Sequence, residues 1–482
     1  MNTKHPFFKT EPMKHQYEVL KDTFHKRAFA VLWEMGAGKT KLAVDTAGML
    51  KAKGWINGML VVAPKGCYAI WIDEVETHMS SKVGYRMALW MSGAGKKYMS
   101  VIDSMLDPSG DLDILVMNIE ALRSKKARDI AEKFVKKHDT LMIIDESTAI
   151  KNPKALQTKA CVALGKMATY RRIMTGTPIT QSPLDVYSQF EYLQHGILGF
   201  TSYFSFRAEY AKMVKVQMNG KQVNLVKGFR NLDDLQKRIA PHSSRITKEQ
   251  CLDLPPKTFS VEHVDLTKEQ QVAYKTMQET CLAIVDDEMI TVASALTALA
   301  KLQQIVCGHL IDENGVAHDL PNNRVDACID VLERHGGKAI IWCNFIKDVE
   351  NVSTALTTRF GEGSHVLYYG HTDTQDRRLA CERLQKDDSC RWMIATSAAA
   401  KGLTLTAANL NVYYSHSFNL ETYLQSQDRT HRRGQNLSVH NVSLVCKGTV
   451  DDKIVQALNA KKDIAGMVVG DIKMLFNKKG YV

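Results

Sequence analysis

Residues 33–40 read Trp33-Glu34-Met35-Gly36-Ala37-Gly38-Lys39-Thr40. An apolar run, Ala28-Phe29-Ala30-Val31-Leu32, precedes them, and a helix-like stretch, Lys41-Leu42-Ala43-Val44, follows. Strand, glycine loop, Gly-Lys-Thr and helix, in that order, build a cradle for a nucleoside triphosphate. Gly36 and Gly38 let the backbone approach phosphate oxygens with no Cβ in the way. The helix that starts after Gly38 aims its free N–H groups and its positive dipole end at the same place. Lys39 has the reach for β and γ phosphates, and the Thr40 hydroxyl can hold Mg²⁺. The stretch departs from the strict eight-residue pattern at its first place, where Trp33 stands instead of glycine.

Working outward, residues 141–146 read Leu-Met-Ile-Ile-Asp-Glu, a buried-strand run that ends in two acids. Such a strand delivers Asp145 as a Mg²⁺ partner and Glu146 as a base or water-positioning group. Either motif alone can arise in an ordinary loop. Both together, in this order, point to phosphoryl chemistry.

Around them, short apolar runs alternate with helix-like stretches at 28–32, 59–63, 114–117, 141–144 and 172–175. The same rhythm returns at 339–342, 365–368, 392–396, 411–414 and 438–445. Alternation of this kind predicts α/β architecture with parallel sheets and crossover helices. The stretch between is rich in helix formers and aromatics (Phe190, Tyr192, Phe200, Tyr203, Phe204, Phe206, Tyr210), which reads as core before it reads as a base-stacking platform. Boundaries follow: a first α/β lobe over 1–195, helical insertions and linker over 196–315, and a second lobe over 316–482.

A chain of 482 residues exceeds one core, which agrees with two or more domains. Net charge is +11, with Lys and Arg spread along the chain, as suits a basic face for a polyanion. Ten cysteines are scattered without a Cys-x-x-Cys pair, which argues against a zinc ribbon and fits a reducing compartment. No apolar stretch reaches membrane-spanning length and no apolar signal region opens the sequence, so a soluble intracellular protein is expected, in the cytoplasm or nucleoid of a bacterial host.

Further segments fall into a fixed order: Met13-Lys14-His15-Gln16, Val62-Ala63-Pro64-Lys65, Lys151-Asn152-Pro153, Thr175-Gly176-Thr177-Pro178-Ile179, Leu254-Pro255-Pro256-Lys257, Ile341-Trp342-Cys343-Asn344-Phe345, Ala395-Thr396-Ser397, Lys401-Gly402-Leu403-Thr404, and Gln425 through Gln435 with Asp428-Arg429-Thr430-His431-Arg432-Arg433-Gly434-Gln435. The series resembles the motifs of superfamily-two helicases and, through Thr-Gly-Thr-Pro-Ile and the final arginine motif, their Swi/Snf-like branch. The resemblance covers roughly residues 13–460.

It implies two RecA-like lobes with a helical insertion between them, ATP in the cleft between the lobes, and DNA across both. By carry-over, Gln16 recognises adenine. Met35, Gly36, Ala37, Gly38, Lys39, Thr40 and Lys41 hold the nucleotide. Thr40 and Asp145 hold Mg²⁺, Glu146 activates water, and Arg429 and Arg432 act as arginine fingers. Pro64, Lys65, Asn344, Thr396 and Ser397 face nucleic acid, while Thr175, Gly176 and Thr177 couple the two. Arg432 and Arg433 are expected on one helix, about 100° apart, with Arg433 turned away. Three residues depart from the branch: Thr148 where it usually has His, Ser415 where it often has Asp, and Leu420 where it often has Pro. The expected activity is ATP-driven movement along duplex DNA. A strand-separating helicase on DNA or RNA, and a nucleotide-switched scaffold, are the alternatives.

Overall fold

The computed structural model describes residues 7–459 except 181, 219–220, 252–253, 287–291, 313 and 401–402. Lys401 and Gly402 of the quoted motifs therefore lie outside the described residues. The chain divides into two units, Met1–Asp253 and Leu254–Val482. The segment read as 196–315 is thus shared between them: its first part belongs to unit one, its remainder to unit two.

Unit one holds strands β1 (Ala28–Trp33), β2 (Gly58–Ala63), β3 (Tyr85–Leu89), β4 (Leu112–Asn118), β5 (Thr140–Asp145), β6 (Tyr170–Met174), a hairpin of β7 (Ala211–Met218) and β8 (Lys221–Phe229), and β9 (Ser243–Ile246). Seven form one sheet in the order β3-β4-β2-β5-β6-β1-β9, and every pairing in it is parallel. A parallel sheet is covered on both faces, so its strands read as continuous apolar runs. Along β5, Leu141 and Ile143 pack into one core cluster while Met142 and Ile144 pack into the other, and all four are buried. Each such side chain contributes about 1.5–3 kcal/mol by leaving water. The aromatics Phe190, Tyr192, Phe206 and Tyr210 are buried core, as read, whereas Phe204 is exposed.

Unit two begins with β10 (Lys257–His263), followed by the short antiparallel pair β11 (His309–Ile311) and β12 (Ala317–Asp319). Then come β13 (Ala339–Trp342), β14 (His365–Tyr368), β15 (Trp392–Ala395), β16 (Leu410–Tyr413) and β17 (Val439–Val445). Its six-stranded sheet runs β10-β17-β16-β13-β15-β14, again with parallel pairings throughout. The middle of the sequence is therefore not helical alone. Besides its helices it supplies the hairpin, one edge strand to the first sheet and one to the second. Among the described residues no helix is long and apolar enough to cross a membrane.

Candidate nucleotide site and second-unit motifs

In unit one the phosphate-loop residues leave the end of β1 and enter the helix Lys39–Ala52. Gly36 and Gly38 both take left-handed conformations, with φ of 84° and 83°. A Cβ built on Gly38 would stand 2.1 Å from Nε2 of Gln16, so a side chain here must displace the Gln16 amide. Gly38→Ala should therefore push Gln16 aside and also carry the cost of a left-handed L-residue, about 1–2 kcal/mol. The expected outcome is lower nucleotide affinity together with a lower melting temperature, read by nucleotide titration and thermal unfolding.

Lys39 folds back over the loop, its ammonium donating to the Trp33 carbonyl at 2.9 Å and the Glu34 carbonyl at 3.4 Å. Trp33 is buried, and its indole donates to the Ser244 hydroxyl on β9 at 2.9 Å. The residue that breaks the strict glycine pattern thus ties the loop's entry to the sheet edge. Gln16 is buried against the loop. Its carbonyl oxygen accepts from the Met13 backbone at 2.8 Å and its amide donates to the Gly38 carbonyl at 3.0 Å. His15 bonds the Ala37 carbonyl at 2.9 Å through Nε2.

Lys41 does not follow the loop. Its ammonium pairs with Asp45 at 2.7 Å and donates to the Thr10 carbonyl at 2.8 Å. Two positions into the helix, the Lys41 side chain is thus directed to Asp45 and Thr10. Asp45 beside it is pushed up to about 6, by burial first and against the pull of Lys41.

The acids arrive at the end of β5. Asp145 accepts from the Trp71 indole at 3.1 Å and from the Glu146 backbone N–H at 3.0 Å. Its carboxyl is pushed up to about 6: desolvation is the main cause, the Glu146 charge adds to it, and Lys39 opposes it. The Lys39 charge thus acts on the Asp145 carboxyl. Glu146 has φ of 47°, a left-handed conformation outside glycine. Strain of that kind costs about 1–3 kcal/mol and persists where surrounding structure holds it.

The Thr175 hydroxyl donates to Glu146 at 3.4 Å and accepts from the Thr177 backbone at 3.2 Å. Gly176 lies against the phosphate loop: a Cβ there would meet Met35 N at 3.3 Å and Trp33 O at 3.4 Å. The Thr177 hydroxyl is buried without a hydrogen-bond partner among the described residues. Loop, acid pair and Thr175–Thr177 are thereby brought together. Pro64 and Lys65 follow β2; the Pro64 carbonyl accepts from Cys67 and Tyr68, and the Lys65 backbone donates to Glu120 at 3.2 Å.

In unit two the helix Leu420–Thr430 carries Arg429, and it ends there. Arg432 and Arg433 lie in the turn beyond it, which corrects the expectation that a helical step separates them. Arg429 is buried and donates to Gln425 at 3.1 Å and Leu403 at 2.9 Å. Arg432 donates to the same Leu403 carbonyl at 2.9 Å, while Arg433 is exposed. Gln435 bonds the carbonyls of Thr406 and Ala408, and His431 bonds that of Pro255 at 2.8 Å. The final motif is thus joined both to the Leu403–Ala408 segment and to the Pro255-Pro256 turn.

The Asn344 backbone donates to Ser415 at 2.7 Å and its side chain to Gln303 at 3.1 Å. Ser415 in turn donates to the buried Asp348, whose carboxyl is pushed up to about 7 by desolvation. Thr396 is half-buried beyond β15, and Ser397, next to it, is exposed.

Comparison with known proteins assigns the chain. The SNF2-related domain matches residues 29–310, more than half its length, and the helicase conserved C-terminal domain matches residues 323–434. The chain belongs to the SNF2-related family. It is 24% identical to an uncharacterized ATP-dependent helicase of Mycoplasma genitalium over 89% of this chain and 39% of that protein. It is 26% identical to a SWI/SNF-related matrix-associated actin-dependent regulator of chromatin subfamily A-like protein 1 homolog of Caenorhabditis elegans, over 90% of this chain and 58% of the relative. It therefore spans about two fifths to three fifths of these curated relatives. Among solved structures, the Sulfolobus solfataricus SWI2/SNF2 ATPase core in complex with dsDNA is 22% identical, covers 98% of this chain and 97% of its own, and gives a TM-score of 0.43.

Within this SNF2-family chain, two contacts beside the acid pair have no motif to announce them. Trp71, 74 residues before its partner Asp145, is one. Another is Gln189, buried, which accepts from Ser147 at 2.7 Å and donates to the Pro178 carbonyl at 2.7 Å. It links the acid turn to the Thr-Gly-Thr-Pro segment.

Proposed function

We propose that this chain is an ATP-driven translocase on duplex DNA. The observation that carries the reading is the convergence in unit one of Lys39, the Asp145–Glu146 pair and Thr175–Thr177 on one glycine loop. The two left-handed glycines give that loop room for phosphate oxygens at the N-terminus of the helix Lys39–Ala52. In this reading the backbone of Met35, Gly36, Ala37 and Gly38 cradles the nucleotide and Lys39 turns from its carbonyl partners to the β and γ phosphates. Gln16, seated on Gly38, meets the adenine. Thr40 and Asp145 hold Mg²⁺, which supplies charge neutralisation on the phosphates. Glu146 takes the proton of the attacking water. Arg429 and Arg432 supply positive charge to the γ-phosphate.

DNA as the track is supported by the family, by the net charge of +11 and by a relative whose name places it in chromatin regulation. Pro64, Lys65, Asn344, Thr396 and Ser397 are assigned to the track, and Thr175, Gly176 and Thr177 to relaying its occupancy to Glu146. A triplex-displacement assay decides between the readings. With ATP the protein should release a third strand from a duplex and leave a fork of equal length closed. Fork opening with no triplex release would replace this reading with a strand-separating helicase.

A further inference from the structure

From Glu209 to Asp233 the sequence contains Lys212, Lys215, Lys221, Lys227 and Arg230 and no acid between those two ends. This stretch is the β7–β8 hairpin, a two-stranded sheet of its own. Eight paired residues at about 3.3 Å each give arms of about 26 Å.

The base of the hairpin is firmly set. Ala211 is buried, and Met213 and Phe229 pack onto the core that holds Phe206 and Tyr210. Arg230 donates to the carbonyls of Glu209 at 2.9 Å and Ala208 at 2.6 Å, closing the end of the helix Tyr203–Tyr210. The Tyr210 hydroxyl donates to Asp234 at 2.6 Å. A register shift between Lys212 and Met213, with Lys212 opposite Gly228 and Met213 opposite Val226, leaves Lys227 as the extra residue of a bulge. Lys212, Lys215 and Lys227 are all exposed, and none takes part in an ion pair among the described residues. By contrast, three of the exposed lysines on the helix Lys125–Lys137 are paired: Lys125 with Asp129, Lys136 with Glu132 and Lys137 with Asp107.

We propose that this hairpin is a phosphate-contacting arm that extends the grip on a nucleic-acid duplex beyond the ATP-driven track. Its unbalanced positive charge, carried on an arm with a fixed base, is complementary to a row of phosphates and to no apolar partner. The inference rests on the duplex-translocase reading. A lesser role for the same lysines is to keep two open strand edges from pairing with other chains, which requires charge but no nucleic acid.

Binding of a labelled mixed-sequence duplex, followed by anisotropy across a salt series, tests it. Parent protein is compared with the triple variant Lys212→Gln/Lys215→Gln/Lys227→Gln and with a control that loses three charges elsewhere, Lys125→Gln/Lys136→Gln/Lys137→Gln. The hairpin variant should flatten the slope of log affinity against log salt by up to about 2.7, and each single variant by about 0.9. At 0.1 M salt its affinity should fall at least about tenfold, with the difference closing toward 1 M. ATPase without nucleic acid should stay at the parent rate. A parent-like slope in the triple variant, or an equal loss in the control, overturns the arm and leaves the translocase reading standing. A parent that binds no duplex overturns both.

Discussion

Glu146→Gln should lower steady-state ATP turnover by about 10²–10⁴-fold while ATP stays bound. The amide keeps the size and shape of the carboxylate, so the left-handed backbone at this position and the Thr175 contact have no reason to change. What is lost is the ability to take a proton from water. Lys39→Ala should also end turnover, but by another route. It removes a phosphate counter-charge and with it the bonds to the Trp33 and Glu34 carbonyls that close the loop, so nucleotide affinity should fall as well. Measuring nucleotide binding and turnover side by side separates the two. A Glu146→Gln rate within about twofold of the parent would remove Glu146 from its assigned role.

Arg432→Ala should retain ATP and DNA binding and lose DNA-stimulated hydrolysis by about 10³–10⁵-fold, the range an arginine finger supplies. Arg433→Ala should stay near the parent. The reason is where the chain runs after Thr430. Arg432 turns back with Arg429 to the Leu403 carbonyl, while Arg433 points into solvent. Arg429→Ala is the less clean variant. Its guanidinium is buried and spans Gln425 and Leu403, so its loss leaves acceptors unmet at a cost of about 1–3 kcal/mol in addition to any catalytic effect. DNA-stimulated ATPase of the three alanine variants, with their melting temperatures, sorts these outcomes. A dead Arg433→Ala beside a normal Arg432→Ala would reverse the assignment.

The parts of the fold that the sequence made legible are chiefly those where burial is total. Strands β13 and β14 coincide with the runs 339–342 and 365–368, and β5 extends its run by one residue at each end. Strands β5 and β13 lie inside parallel sheets, so their runs 141–144 and 339–342 are apolar throughout and no alternation confuses the signal. Three of the four sheet edges were illegible, and only β14, an edge with alternate residues buried, coincided with its run. Strand β3, Tyr-Arg-Met-Ala-Leu, is mostly half-buried; β9 is short and polar; β10 is largely exposed. Nothing in their local composition separates them from loops, because the pairing partner, not the strand's own side chains, makes them strands.

The site divides in the same way. Gly36, Gly38, Lys39, Asp145 and Glu146 follow from backbone and charge requirements that only a few residue types meet. Lys41 shares the motif, but its direction is decided by Asp45 and Thr10, one a helical turn along and the other 31 residues back. The Trp71–Asp145 and Ser147–Gln189 contacts join residues 74 and 42 positions apart, and no spacing rule foretells such pairs. The end of the helix at Thr430 was likewise hidden, since the Arg-Thr-His-Arg-Arg run carries no proline and its Gly434 comes four residues later.

The central claim is that the phosphate loop and acid pair of this SNF2-family core turn over ATP in response to duplex DNA. Its most direct test is the ATPase rate of the parent protein in Mg²⁺ with no nucleic acid and with single-stranded DNA, duplex DNA, forked DNA or RNA. A low basal rate that duplex DNA raises most is the result this account predicts. Equal rates under all conditions, or stimulation by RNA or single strands with none by duplex, would contradict it.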